Sequence, residues 1–378
     1  MTQMSNGAAR AKFFARAALF FLILGLTYAL ICNRIIDRFI TIMPSCRDPA
    51  VGAGDVIMKY YLGLDIGGTF VKGACVAPDG SILVEDSCPT GCGEGGEEGG
   101  RAMCANIAAL CKKMCAGLDG SPVAAGIGCP GMIDSAAGVV KFAGNLGLRA
   151  FPLGSELSSR LGVPVVVTND ANAAALGEAR YGAGKEYKNS ILVTLGTGVG
   201  GGIIIDGKLF EGGHSVGTEI GHMVIERHGE MCTCGRRGCF ERYSSATALT
   251  ARTRYAMEED AGSAMWSKYT SQTCTGKTAF EFKDVDRSAK EVVDWYVKYL
   301  ACGLVNLANI FRPEVIMLGG GVSAQGECLT KPVQEIVNKE LFGGCDYAPV
   351  TVITASLGNR AGAMGAAAFA MDEIKMGE

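Results

Sequence analysis

From Met58 onward, short apolar runs of strand length alternate with longer stretches of helical spacing. Residues 60–64, 71–76 and 81–84 read as three strands punctuated by glycine or Asp-Gly, which predicts an antiparallel meander opening an α/β domain. The Gly- and Glu-rich stretch 91–100 reads as a surface loop, and 101–116 carries apolar residues at helical spacing. Buried strands are expected at 123–128 and at 163–168. The second of these runs straight into Asn169-Asp170-Ala171-Asn172 and an alanine-rich helix that ends near Tyr181-Gly182. A second meander begins at 190–195, continues as 202–205 and turns at Asp206-Gly207, so a boundary falls near residues 180–190. Each half thus opens on a strand followed by a glycine turn, Asp65-Ile66-Gly67-Gly68-Thr69 in one and residues 196–202 (GTGVGGG) in the other. This is a duplication of architecture without a short-period repeat.

Composition narrows the class. The 378 residues are 48% hydrophobic and 19% charged, a globular balance, and a chain this long favours two domains with a cleft between them. Thirty-five Lys and Arg against 38 Asp and Glu, with no long basic run, disfavour a nucleic-acid partner. Sixteen cysteines in so long and apolar a chain argue against a disulfide scaffold and for a reducing, cytoplasmic setting with some thiols on metal. Residues 17–33 (AALFFLILGLTYALICN) are uncharged and flanked by three cationic residues on each side, which assigns no orientation. Three readings stay open for this run: a membrane anchor, a cleaved signal, or translation that begins at Met58. Residues 1–57 are therefore treated as an apolar extension outside the fold.

Several groups carry candidate chemistry. Glycine turns let backbone N–H groups approach a polyanion such as a triphosphate, and Thr69 and Thr197 add hydroxyls, although either turn taken alone reads more readily as a tight hairpin than as a phosphate clamp. A third run, Gly319-Gly320-Gly321-Val322, follows a strand at 315–318 and is placed to close over a nucleotide at a sheet end. The sharpest signal is His222, Cys232, Cys234 and Cys239, in the pattern H-x9-C-x-C-x4-C with Gly235 and Gly238 bending the chain. Three sulfurs and one imidazole predict a closed, structural tetrahedral zinc site. Glu219 and Glu241 are tied to that knot, either as acceptors for sugar hydroxyls or as solvated surface glutamates. Asp170 sits at a strand-to-helix junction, where a ligand contact and an ordinary helix cap are both compatible.

In this order the motifs LGLDIGGT (62–69), GIGCPG (126–131), NDAN (169–172), GTGVGGG (196–202), EIGH (219–222), CTCGRRGCFE (232–241) and GGGV (319–322) resemble the ROK (repressor, open reading frame, kinase) group, and within it the ATP-dependent glucokinases. The resemblance runs from Met58 to the C-terminus. It implies a two-lobed actin-like ATPase (ribonuclease H-like) fold with the ligand cleft between the lobes. The first lobe would span 58–185 and the second, carrying the knuckle, 186–355, with a C-terminal helix in 356–378 returning to the first. It also implies that Asp170 is the base for the sugar 6-hydroxyl, that Asn169, Glu219, His222 and Glu241 hold the sugar with Gly131 lining it, and that His222 serves both metal and sugar. ATP phosphates would lie between Asp65, Gly67, Gly68, Thr69 and Lys72 on one side and Gly196, Thr197, Gly198 and Gly200 on the other, bridged by Mg2+, with Gly320 and Gly321 closing over the nucleotide. Relatives are often dimers or tetramers, which implies a homo-oligomer. The sequence departs from the pattern at Leu148, where many relatives carry an aromatic residue, which leaves Asn145 without an assigned role. Repressor members begin with a helix-turn-helix, whereas the corresponding segment here is apolar.

Overall fold

The computed structural model describes residues 58–377 apart from Gly217 and Cys345; the apolar run at 17–33 lies outside the described residues. The first half contains β1 (Tyr60–Ile66), β2 (Phe70–Val76), β3 (Ile82–Pro89), α1 (Gly96–Cys115), β4 (Pro122–Cys129), β5 (Met132–Asp134), β6 (Val139–Ala143), β7 (Leu148–Phe151), α2 (Leu153–Leu161), β8 (Val165–Asn169) and α3 (Asp170–Tyr181). The second contains β9 (Ser190–Leu195), β10 (Val199–Ile205), β11 (Lys208–Phe210), α4 (Glu241–Ser244), α5 (Ala246–Glu259), α6 (Gly276–Phe282), α7 (Arg287–Phe311), β12 (Val315–Gly319), α8 (Glu327–Glu340) and β13 (Thr351–Thr354), and α9 (Ala361–Gly377) ends the chain.

Two five-stranded sheets share one plan. The first runs β3-β2-β1-β4-β8 and the second β11-β10-β9-β12-β13, each with two antiparallel pairings followed by two parallel ones. The duplication expected from the paired glycine turns is thus a duplication of strand order. Among the described residues no helix is long and apolar enough to cross a membrane.

The period-2 geometry of β1 decides what each of its residues does. Tyr60, Leu62, Leu64 and Ile66 enter the core under α1. Tyr61, Gly63 and Asp65 face α9: Tyr61 packs with Ala363 and Ala367, and a Cβ on Gly63 would lie 1.9 Å from the Ala363 carbonyl oxygen. Helix α9 therefore lies directly on the first sheet. Helix α3 is alanine-rich because it is buried on two sides. Its Ala173 and Gly177 meet α9, while its Ala171 and Ala175 meet Gly200 and Gly202 of the second sheet.

Three expectations change at their edges. Residues 96–100 are helical, not loop: Glu97 and Glu98 favour a helix start, and Gly99 and Gly100 admit the Cys92 carbonyl and the Phe151 ring. Strand β10 starts at Val199, because its glycines take the close approach of α3 and of the Ile220 side chain. Strand β8 starts at Val165, after Pro164, whose carbonyl accepts from Ala125 N. Leu148 is a buried core residue of β7, and Asn145 is exposed in the turn before it. Five of the cysteines, Cys75, Cys92, Cys104, Cys111 and Cys129, are free thiols filling the first core as small apolar groups.

Candidate active site

Strand β8 ends at Asn169 and α3 begins at Asp170. The Asn169 side chain caps the helix, accepting from Ala171 N at 2.8 Å and Asn172 N at 3.2 Å, and its amide donates to the Gly131 carbonyl at 3.1 Å. Gly131 has φ +101°, and a Cβ there would stand 2.2 Å from the Phe142 carbonyl oxygen, so only glycine fits. The cap reading belongs to Asn169, which leaves Asp170 as the first residue of α3, with an oxygen accepting from Ala171 N at 2.9 Å. Burial raises its pKa against the opposing pull of that N–H.

Glu219 and His222 flank one 3-10 turn, Ile220–His222, closed by His222 N donating to the Glu219 carbonyl at 3.1 Å. Residues three apart eclipse in such a turn, so both side chains leave it on one side. Burial raises the pKa of Glu219, His222 opposes this, and the charges of Asp170 and Glu241 raise it further. These three carboxylates therefore share one small region.

The predicted metal ligands also converge. One ring nitrogen of His222 and the sulfurs of Cys232, Cys234 and Cys239 all lie within 4.8 Å of one another, with His222 Nδ1 3.6 Å from Cys232 Sγ and Cys234 Sγ 3.6 Å from Cys239 Sγ. A tetrahedron with metal–sulfur bonds of about 2.3 Å has edges of about 3.8 Å, so the donor set fits zinc. The bend is supplied by Gly235 and Gly238 at φ +87° and +77°, and by bridges pairing Val224 with Cys239 and Met231 with Arg237. With Nδ1 turned to the sulfurs, Nε2 is the other polar atom of the His222 ring. Glu241 follows directly as the first residue of α4, its Oε1 accepting from Cys232 Sγ at 3.0 Å. A Cβ on Gly198 would lie 2.7 Å from Glu241 Oε2, so the knot touches the second glycine turn.

Both glycine turns are hairpins, and both lie at this end of their sheets. Gly67 N donates to the Phe70 carbonyl at 2.9 Å, and Gly68 and Thr69 are exposed. Gly196 accepts from Ala246 N at 2.8 Å, and the Thr197 carbonyl accepts from Thr247 Oγ1 at 2.8 Å, which fastens the second turn to α5. Gly200 departs from the expected grouping: it lies within β10 opposite Thr194, and its face is closed by Ala171. Asp65 and Lys72 are register partners on β1 and β2, and Lys72 Nζ donates to Asn359 Oδ1 at 3.4 Å. Burial pushes Asp65 up to about 6, with Lys72 opposing and Asp170 adding to the rise. Gly320 and Gly321 line a cavity of about 320 Å3 together with Glu178, Thr194, Ser323 and Asn359. That volume suits a small ligand.

Glu178, Asn359 and Glu211 went unnoticed in the sequence. Glu211 accepts from Thr168 Oγ1 at 2.6 Å and Ser135 Oγ at 2.7 Å, joining the segment after β11 to the first half. No local pattern marks such a residue, since its partners are distant in the chain.

The ROK family profile matches residues 61–373. A glucokinase of Halalkalibacterium halodurans is 38% identical over 314 residues, covering 81% of this chain and 93% of its own. A ROK family glucokinase from Streptomyces griseus, solved in complex with glucose and AMPPNP, superposes with a TM-score of 0.70 at 36% identity, covering 83% of this chain and 99% of that one. A xylose repressor of Caldicellulosiruptor bescii is 30% identical over 250 residues, covering 66% of this chain and 62% of its own. The strand order, the paired sheets and these likenesses give the two-lobed actin-like ATPase fold. On profile, sequence and structure alike, the chain belongs to the ROK family.

Proposed function

We propose that this chain is an ATP-dependent sugar kinase that phosphorylates glucose at the 6-hydroxyl, with Asp170 as the base. One observation supports Asp170 as the base: the Asn169 side chain takes the capping role of α3, accepting from Ala171 N and Asn172 N, and so leaves the partly buried Asp170 carboxylate at the strand-to-helix junction with a hydrogen bond from Ala171 N. Asn169, Glu219, His222 Nε2 and Glu241 hold the sugar hydroxyls, and Gly131 lines the ring. The backbone of residues 67–69 and 196–198 takes the phosphates, with Lys72 nearby and Gly320 and Gly321 against the nucleoside. The kinase relatives, one of them solved with glucose and AMPPNP, favour this substrate pair.

In the reaction the O6–phosphorus bond forms as the bond from the γ-phosphorus to the bridging oxygen breaks, ADP leaves, and the O6 proton passes to the Asp170 carboxylate. Phosphoryl transfer asks mainly for alignment and charge neutralisation, and the cap that fixes Asn169 and Asp170 supplies the first. Mg2+ held near Asp65 would neutralise phosphate charge. Zinc on His222, Cys232, Cys234 and Cys239 would have all four positions filled, so its part is to order Glu219, His222 and Glu241.

The test is phosphorylation of glucose, fructose, N-acetylglucosamine and N-acetylmannosamine by wild type and by Asp170→Asn. Glucose turnover is expected, falling by about 100- to 10,000-fold in the variant, with the KM for glucose changed only a few fold. A variant keeping most of its kcat removes Asp170 from the mechanism, and hexose binding without turnover of any sugar makes the protein a sensor.

A further inference from the structure

A second cavity, of about 460 Å3, opens beside α4 and α5 and is lined by Arg242, Tyr243, Thr247, Arg252, Tyr255 and Trp295. The Arg252 guanidinium carbon stands 5.3 Å from the centroid of the Tyr255 ring and 5.6 Å from that of Trp295. Trp295 is itself held by Tyr243 and Tyr299, with centroids 6.2 and 5.2 Å away. The Nε atoms of Arg242 and Arg252 are both buried without a hydrogen-bond partner. An unpaired buried donor is uncommon in a folded protein, and here the two partly buried side chains that carry one line the same cavity. Glu230 also lines the cavity and pairs with neither arginine.

We infer that this cavity binds a phosphomonoester carried on a ring. Two guanidinium forks match phosphate oxygens, and the side chains of Tyr243, Tyr255 and Trp295 around them give the cavity an aromatic wall for the ring that carries the phosphate. The site reaches the turn at 196–198 by short links. Arg242 adjoins Glu241, and the α5 start that lines the cavity donates to that turn through Ala246 N and Thr247 Oγ1, at 2.8 Å each. A ligand that draws Arg242 and Arg252 onto one phosphate shifts the start of α5 and with it the turn. The binding site itself rests on this geometry and stands apart from the kinase reading.

The chain has two tryptophans, Trp266 and Trp295, so Trp266→Phe leaves Trp295 as the reporter. The full chain is titrated with glucose 6-phosphate, AMP and inorganic phosphate while Trp295 emission is followed, and calorimetry on the wild type repeats the measurement without that substitution. A saturable change is expected with a phosphomonoester, at lower concentration than with inorganic phosphate. Half-saturation should rise about tenfold or more in Arg252→Gln and Arg242→Gln, and less in Arg252→Lys. Tighter glucose 6-phosphate assigns a hexose phosphate, and tighter AMP a nucleotide. No saturable change, or one of unaltered affinity in the arginine variants, overturns the site. The tighter ligand should also raise the KM for ATP severalfold in wild type and not in Arg252→Gln; binding without that shift overturns the link to the turn. The emission readout needs no turnover, so a failed kinase assay leaves the binding result intact.

Discussion

Asp65 illustrates what a site residue costs its own fold. Alternation along β1 turns it toward α9, where a Cβ on Gly362 would stand 2.6 Å from its carboxyl carbon. Burial there pushes its pKa up to about 6, above the value in an unfolded chain. A carboxyl whose folded pKa is raised destabilises the fold when ionised, so the penalty is absent below about pH 4, grows as pH rises toward 6, and is complete above it. Asp65→Asn is therefore expected to stabilise the nucleotide-free protein at pH 7 by about 1–3 kcal/mol while abolishing sugar phosphorylation. Urea unfolding at pH 7 and pH 4 checks this. A variant no more stable than wild type at pH 7, or equally stabilised at both values, would show that Asp65 bears no such penalty. Asp170 and Glu219 are raised for the same cause, so the penalty is shared by the group of acids on which the proposed chemistry depends.

At the scale of elements, the knuckle and the hairpins were readable because their chemistry is local. A thiol spacing within eight residues, or a glycine pair between two apolar runs, carries its own geometry. Helix α3 was readable as a helix, but its double burial was not, since the need for Ala171, Ala173, Ala175 and Gly177 comes from β10 and α9. The three-stranded sheet β5-β6-β7 left no comparably sharp local mark. Glu241 is the clearest case of a residue placed by its neighbour element: Cys232 Sγ meets one carboxylate oxygen, and the turn at Gly198 meets the other. Zinc held there would order Glu219, His222 and Glu241 together, so its removal should displace all three. Chelation is expected to lower the melting temperature and to raise the KM for glucose about tenfold or more, with recovery on added Zn2+ and none on added Mg2+. Unchanged sugar affinity in chelated, zinc-free protein would mean that the knot does not order the sugar site.

Across the molecule, the two sheets communicate through α3, which both of them bury, and through one carboxylate at its far end. Glu178 is fully buried and, among the described residues, pairs with no cation. It accepts instead from Ala183 N at 3.0 Å, Ser356 N at 3.0 Å and Leu357 N at 2.6 Å, with Ser356 Oγ at 3.3 Å. These donors belong to the exit from α3 and to the segment that carries the chain from β13 back to α9, so the carboxylate fastens the return crossing. The same segment supplies Gly358 and Asn359 to the cavity lined by Gly320 and Gly321. Both oxygens face N–H donors, so an amide at this position must turn its NH2 toward one of them, whichever way it is flipped. Glu178→Gln is therefore expected to cost about 3 kcal/mol in urea unfolding and to raise the KM for ATP more than that for glucose. Equal effects on both substrates would assign Glu178 a purely structural role. An unchanged unfolding midpoint would mean that the crossing is held by packing of α9 alone, with Gly63, Gly126 and Gly365 admitting its backbone and its partners.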